Sequence, residues 1–212
     1  MPDMTDRAAL DTEPATYSLR EAKKQRMRQD MVDSALRHFI DGGYDETSLD
    51  DICSSLLVSP RTLQRYFGGK EQLALDWQYT ALARFRAALA ERDRTQPVAE
   101  WWREYVLSIV ALVERTELSR AQHRLVLSVP ILHTRRLAII QEYEDLLTTA
   151  VAEEAGSDPA VDVRARLSAV VLLGASEAAF HRWVHDDRAG SYRDLSAQAL
   201  EVALGEFLPH RA

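Results

Sequence analysis

At 212 residues, with 46% hydrophobic and 28% charged side chains, the chain has an ordinary globular composition and room for a small domain joined to a medium one. A formal net charge of -7 argues against a uniformly basic nucleic-acid binder, and the single cysteine, Cys53, excludes an intrachain disulfide and a four-cysteine metal site. The first residues carry Asp3, Asp6, Asp11 and Glu13 and no apolar core. The longest uncharged apolar run, Leu167 to Ser176, is too short for a bilayer, so a cytoplasmic protein without membrane contact is expected.

Residues 1–17 lack periodicity and are expected to form a disordered extension. Ser18 with Glu21 makes a capping box, and Met31, Val32, Ala35, Leu36, Phe39 and Ile40 give the helix that follows one apolar face, up to Gly42-Gly43. Ser48 with Asp51 opens a second helix running to about Leu56. Ser59 caps a third, with Pro60 in its first turn, where a missing N–H does no harm. Beyond Gly68-Gly69, the pattern predicts helices at 70–93, 97–115, 117–128, 130–154, 160–186 and 194–208, broken at Thr95 to Pro97, Val129-Pro130, Gly156 to Pro159 and Gly190. No strand-like alternation survives, and the chain reads as all-α.

Two short helices joined by a tight turn, the second opening with exposed polar residues, have the layout of a helix-turn-helix. Leu63 and Phe67, four apart, should face inward and leave Arg61, Thr62, Gln64, Arg65 and Tyr66 on the open side. Arg suits guanine, Gln suits adenine and the Thr methyl suits thymine, whereas Tyr66 and Lys70 suit phosphate. Arg20, Lys23, Lys24, Arg26 and Arg28 concentrate positive charge nearby, so the local field opposes the acidic total. Such a basic run taken alone reads equally well as a solvated helix face.

The elements Ala35-Leu36-x-x-Phe39, Gly43-Tyr44, Thr47-Ser48-x-x-x-Ile52, Val58-Ser59, Thr62-Leu63 and Tyr66-Phe67-x-x-Lys70-Glu71-x-Leu73 make residues 19–77 resemble the N-terminal domain of TetR-family transcriptional regulators. Leu57 departs from the family pattern, which usually has glycine in the turn. A non-glycine there must either strain the backbone or take another turn geometry. The resemblance implies a three-helix DNA-binding domain (18–69) on a helical ligand-binding and dimerisation domain (70–212). It also implies a homodimer on a palindromic double-stranded DNA operator, released by a small-molecule effector. The DNA contacts it implies are Arg20, Lys23, Lys24, Thr47, Ser48, Ser59, Arg61, Thr62, Gln64, Arg65, Tyr66 and Lys70. Residues 117–183 resemble effector domains of regulators from actinobacterial-type genomes, some of which answer to acyl-coenzyme A.

In the second half, Phe85, Trp102, Tyr105, Ile109, His123, Leu127 and Phe180 are the candidates for lining an apolar effector pocket. Each taken singly reads equally as core or surface, as do the further polar candidates His133 and Arg135. Leu167 to Ala175 is uncharged all round and the last helix carries an apolar stripe. Leu167, Val170, Val171, Gly174, Ala178, Leu200, Ala203, Leu204 and Phe207 are therefore expected at a four-helix dimer interface, although the centre of a monomer core would look the same.

His181 and His185 have the spacing of paired metal ligands, but Arg182-Trp183-Val184 between them lacks the glutamate of a zinc protease motif, and a helix C-terminus favours His in any case. There is no glycine-rich phosphate loop and no nucleophile elbow, so neither metal nor cofactor is implied. Three readings stay open. They are a ligand-responsive repressor, a DNA-binding activator or architectural protein without an effector, and a helical enzyme that imitates a helix-turn-helix.

Overall fold

The computed structural model describes residues 19–114 and 118–208, with side chains from residue 22 onward. The extension 1–17, the Ser18–Glu21 capping box and the side chain of Arg20 lie outside the described residues. Every described element is helical, and no described helix is long and apolar enough to cross a membrane.

Helix α1, Leu19–Gly42, buries Met31, Val32, Ala35, Leu36 and Phe39 on one face. Helix α2, Leu49–Leu56, starts where Ser48 closes its capping box: the Asp51 N–H donates to the Ser48 hydroxyl at 3.1 Å and the Ser48 N–H to the Asp51 carboxylate at 2.8 Å. It ends at Leu57, which takes the left-handed conformation (φ 54°, ψ 36°). There the Leu57 N–H donates to the Ser54 carbonyl and the Val58 N–H to the Cys53 carbonyl. This is the glycine-type helix ending built with a leucine, and the backbone strain expected at Leu57 is present. Helix α3, Pro60–Phe67, is capped by the Ser59 hydroxyl, which accepts from the Thr62 N–H at 3.1 Å. It closes at Gly68, whose φ of 73° suits a residue without a Cβ.

The helix expected over 70–93 is two helices, α4, Lys70–Ala74, and α5, Asp76–Ala90, meeting at Leu75 (φ -101°, ψ 9°). Leu73, Ala74 and Leu75 are all fully buried, and a straight helix cannot turn three successive residues toward one core. Then come α6, Val98–Val113; α7, Ser119–Ser128; α8, Pro130–Ala155; α9, Val163–His185; and α10, Tyr192–Val202, prolonged by a π-helical turn, Ala203–Phe207. Helix α10 begins two residues earlier than the apolar pattern predicts, because the Ser191 hydroxyl accepts from the Asp194 N–H at 3.0 Å.

Helices α1 to α4 enclose one core, which Val126 of α7 and Leu132 of α8 complete. The second core lies among α5, α6, α8, α9 and α10, where α8 packs along α9 and α10 lies across α9 and α6. Helix α9 is apolar on its outer side as well: Leu167 is 58% exposed, Val170 is exposed, and Phe207 beyond α10 is 63% exposed. Val171, Ala178, Ala203 and Phe207 line a groove of about 540 Å³ between α9 and α10. One residue expected on this interface belongs elsewhere: Leu200 is fully buried in the second core, facing inward. Ala203 is buried in the protomer but borders the groove.

Candidate nucleic-acid interface and buried cavity

The caps at Ser48 and Ser59 and the Leu57 turn fix α3 against α1 and α2, with Leu63 and Phe67 buried beneath it. Arg61, Gln64 and Arg65 are exposed, and Thr62 and Tyr66 are half-buried at the rim. Lys23 and Lys24 are exposed on the first turns of α1. The first turn of α3 carries no acid, so its partial positive charge and the Arg side chains act in the same direction on a phosphate.

Several of these side chains already hold partners. The Gln64 amide donates to the Gly68 carbonyl at 3.0 Å, and Ser59 and Thr62 share a hydrogen bond of 2.9 Å between hydroxyls. The Tyr66 hydroxyl reaches Met27 Sδ at 3.7 Å. The Lys70 ammonium stands 4.2 Å over the Tyr44 ring, and burial, then the Glu71 and Asp45 carboxylates, push the Tyr44 phenol up to about 12. Ser48 remains exposed, although its hydroxyl donates to Asp51 at 2.6 Å. Thr47 is a correction. It is buried, and its hydroxyl donates to the His38 and Gly43 carbonyls at 3.0 and 2.7 Å, which makes it an internal strut between α1 and α2 and not a surface contact.

Sequence reasoning placed Arg28 in the basic run and missed its position. Its guanidinium lies 4.4 Å over the Phe67 ring, donates to the Tyr66 carbonyl at 3.0 Å and pairs with the Asp76 carboxylate at the start of α5. Burial holds the Asp76 carboxyl above its ordinary range, against the pull of Arg28. Two further bonds cross the same joint: the Gln122 amide donates to the Ala74 carbonyl at 3.3 Å, and Arg135 pairs with Glu71 at 3.0 Å. Arg135 thus stitches α8 to α4 and does not serve a pocket.

One turn into α5, a cavity of about 140 Å³ opens among α5 to α10. Trp102, Tyr105, Ile109, His123 and Phe180 line it as the sequence suggested, and Gln78, Arg136, Tyr143, Glu177 and Tyr192 join them unforeseen. Two expected residues do not reach it. Phe85 is fully buried behind Trp102, ring edge to ring face at 5.4 Å, and Leu127 packs against the cluster of Phe180, Trp183 and Val184. His133 is half-buried outside the lining.

The cavity's polar groups divide into paired and unpaired. Arg136 donates to both oxygens of Glu177, at 2.8 and 2.7 Å, and stands 4.4 Å over the Phe180 ring. Burial, with Arg136 nearby, drops the His123 imidazole to about 3, so it is neutral, and burial pushes the Tyr105 phenol up to about 12. Both amide atoms of Gln78, the Tyr105 hydroxyl and His123 Nδ1 have no partner. Trp77, Ala81 and Ile109 line this cavity and also a groove of about 620 Å³ beside α1, which Arg28 and Asp76 border. The cavity wall and the Arg28 joint therefore share the first turn of α5.

The His181 and His185 rings are exposed and stacked, with centroids 5.9 Å apart and planes within 8° of parallel. Among the described residues, no group of three His, Cys, Asp or Glu side chains is placed to hold a metal ion.

Against known proteins, residues 31–76 match the family described as bacterial regulatory proteins, tetR family, and residues 96–207 match the MftR C-terminal domain. Over 97% of its length the chain is 27% identical to the HTH-type transcriptional regulator TcmR of Streptomyces glaucescens, of which the match covers 93%. The fold resembles NalD of Pseudomonas aeruginosa, the secondary repressor of the MexAB-OprM multidrug efflux pump (TM-score 0.62, 19% identity, 87% of this chain and 96% of that one). It also resembles the transcriptional regulator FadR of Bacillus subtilis in complex with stearoyl-CoA (TM-score 0.54, 18% identity, 86% and 99% covered).

Proposed function

Because this chain belongs to the TetR family of bacterial regulatory proteins, we propose that it is a cytoplasmic homodimeric repressor that leaves a palindromic operator when a small molecule enters the cavity between α5 and α10. Transcriptional regulation through DNA is the property of the family, whose members are not enzymes. Arg61, Gln64 and Arg65 on α3 read bases, while Lys23, Lys24, Tyr66 and Lys70 hold the backbone. The second copy docks on the outer apolar face of α9, where Leu167, Val170 and Phe207 stand uncovered in the protomer. Two heads so joined reach two half-sites on one side of the duplex.

One observation carries the effector part of this reading. Asp76, which holds Arg28 of the DNA-binding head, and Trp77 and Gln78, which line the cavity, are consecutive residues of α5 just past its break from α4. A molecule that shifts α5 must act on the Arg28 contacts to Tyr66 and Phe67 at the end of α3. Release then follows only from the molecule's different affinities for the two arrangements; the usual coupling of about 1–3 kcal/mol weakens operator binding roughly 5–150-fold. An effector carrying a coenzyme A group would need far more space than about 140 Å³, so the cavity favours a compact molecule.

Fluorescence anisotropy with DNA from upstream of the chain's own gene, repeated across salt concentrations, tests the DNA half of the proposal. A steep salt dependence on one palindromic segment is expected, and its absence would leave the fold without the function. Val170→Arg, at a site exposed in the protomer, should sediment as a folded monomer and lose operator affinity by at least about tenfold, since one half-site is given up. Operator affinity indifferent to every small molecule that fills the cavity would instead support a regulator without an effector.

A further inference from the structure

The polar atoms of the cavity specify the chemistry of what fits it. Gln78 is 6% exposed and lines the cavity, and neither its amide nitrogen nor its amide oxygen has a hydrogen-bond partner. The Tyr105 hydroxyl, on the neighbouring wall, is also buried and unpartnered. Buried polar groups in folded proteins are overwhelmingly paired, so a primary amide on the cavity lining with neither its donor nor its acceptor used is suited to a ligand presenting the complementary pair.

Charge narrows the choice. The charged side chains among the described lining residues are Arg136 and Glu177, and they are bound to each other through both carboxylate oxygens. His123 is neutral, ringed by Trp77, Phe180 and Trp183. An anion would meet Glu177 and a cation would meet Arg136, and either would have to break a partly buried ion pair to gain a partner. Size and shape narrow it further. A volume of about 140 Å³ matches apolar cavities of ~150 Å³ that take up benzene, and the walls present the rings of Trp102, Tyr105, Tyr143 and Phe180.

We infer that the cavity binds a compact, uncharged aromatic molecule carrying a hydrogen-bond donor beside an acceptor, as in an aryl amide or lactam, whose polar edge pairs with the Gln78 amide. Its ring packs among Trp102, Tyr105 and Phe180. The effect on DNA rests on the repressor reading above, whereas the binding itself does not.

Calorimetry of the full chain with benzamide, toluene and benzoate near pH 7 separates the contributions, since the three share a ring and differ in polar edge and charge. Benzamide should bind most tightly, toluene more weakly and benzoate least. Gln78→Leu, which fills a similar volume with apolar atoms, should weaken benzamide roughly 5–150-fold, the worth of two ordinary neutral hydrogen bonds, and leave toluene as tight or tighter. Tyr105→Phe removes a single oxygen and should give a smaller loss for benzamide. Benzoate matching benzamide, no measurable binding of any of the three, or a benzamide-to-toluene ratio unchanged in Gln78→Leu would overturn the inference. If that variant does not fold, the ranking on the unmodified protein decides, and toluene equal to benzamide is the overturning result. Operator anisotropy run in parallel keeps the two readings apart. Benzamide that binds through Gln78 without altering operator affinity removes the repressor-release reading and leaves the ligand class standing.

Discussion

The DNA-binding head and the effector half of this chain handle polar groups in opposite ways. In the head, buried Thr47 donates to two carbonyls, the helix starts at Ser48 and Ser59 are closed, and the Arg and Gln side chains of α3 face outward. In the effector half, the buried atoms without a partner gather: Gln78, Arg92, Tyr105, His123, His133 and Ser196 all lie beyond Leu75, and among the described residues none lies before it. An unpartnered buried polar group costs about 1–3 kcal/mol, and of these residues Gln78, Tyr105 and His123 line the cavity, where a bound molecule can relieve part of that cost.

The largest effect that bears on this contrast comes from the core the two regions share. Leu63 is fully buried beneath α3, and that core continues into Val126 and Leu132 of the effector half. Leu63→Ala should cost about 2–5 kcal/mol and abolish operator binding. Urea unfolding followed by tryptophan emission, which reports only the effector half because Trp77, Trp101, Trp102 and Trp183 all lie there, should show the same shifted midpoint as operator binding. Two separate transitions would mean that the head folds independently and that the shared core does not couple the regions.

The effector half should also be the acid-sensitive one. Folded protein keeps His123 neutral down to about pH 3, while the unfolded chain takes up a proton near the ordinary value of 6.5. The neutral imidazole's contribution is therefore complete above about pH 6.5 and declines as the pH falls toward 3, by about 1.4 kcal/mol per unit. His123→Leu should flatten that part of the stability profile measured by urea unfolding between about pH 7 and pH 5. An unchanged slope would place the acid sensitivity in other groups.

On the head, effects should divide by role. Arg61→Ala, at an exposed position, should cost about 1–3 kcal/mol of operator binding at one base position and leave the melting temperature unchanged. Lys70→Ala should flatten the salt dependence by about one and, because Lys70 sits on the Tyr44 ring, also lower stability slightly. Anisotropy and thermal unfolding on the same samples check both, and equal behaviour of the two variants would erase the distinction between reading and holding.

The two regions also differed in how much of them the sequence disclosed. Helices α1 to α3 and the caps of α2 and α3 were legible because the Ser48 capping box, Ser59, Pro60 and Gly68 act locally, within a turn. The break at Leu75 was not, because Leu73 to Trp77 contains no glycine or proline; it arises from burial of three consecutive side chains by tertiary packing. The aromatic half of the cavity was visible as helical spacing in Trp102, Tyr105 and Ile109. Of its polar half only His123 and the Tyr105 hydroxyl were, since Gln78, Arg136 and Glu177 come from three helices and meet only in the folded chain. Arg135 and Arg136 illustrate the difficulty. One residue of helical rotation, about 100°, separates a side chain that ties α8 to Glu71 from one that lines the cavity.

The smallest predicted effect has the opposite sign. Leu57 holds φ at 54° with its side chain 95% exposed, so it bears the left-handed backbone cost while burying almost nothing. That cost is about 1–2 kcal/mol for a residue with a Cβ, and glycine would remove it while adding about 0.5–1 kcal/mol of unfolded-chain entropy. Leu57→Gly should therefore stabilise the head by roughly 0.5–1 kcal/mol, read as a higher urea midpoint with unchanged slope. Operator affinity should stay the same, because glycine accepts the turn already present and the Leu57 and Val58 N–H bonds to Ser54 and Cys53 are backbone only. Leu57→Pro is the counterpart: its ring forbids a positive φ and it has no N–H, so both stability and operator binding should fall. A Leu57→Gly protein that is more stable yet binds operator more weakly would show that the leucine side chain itself meets the DNA, and the head's contact surface would then have to extend from α3 into the turn.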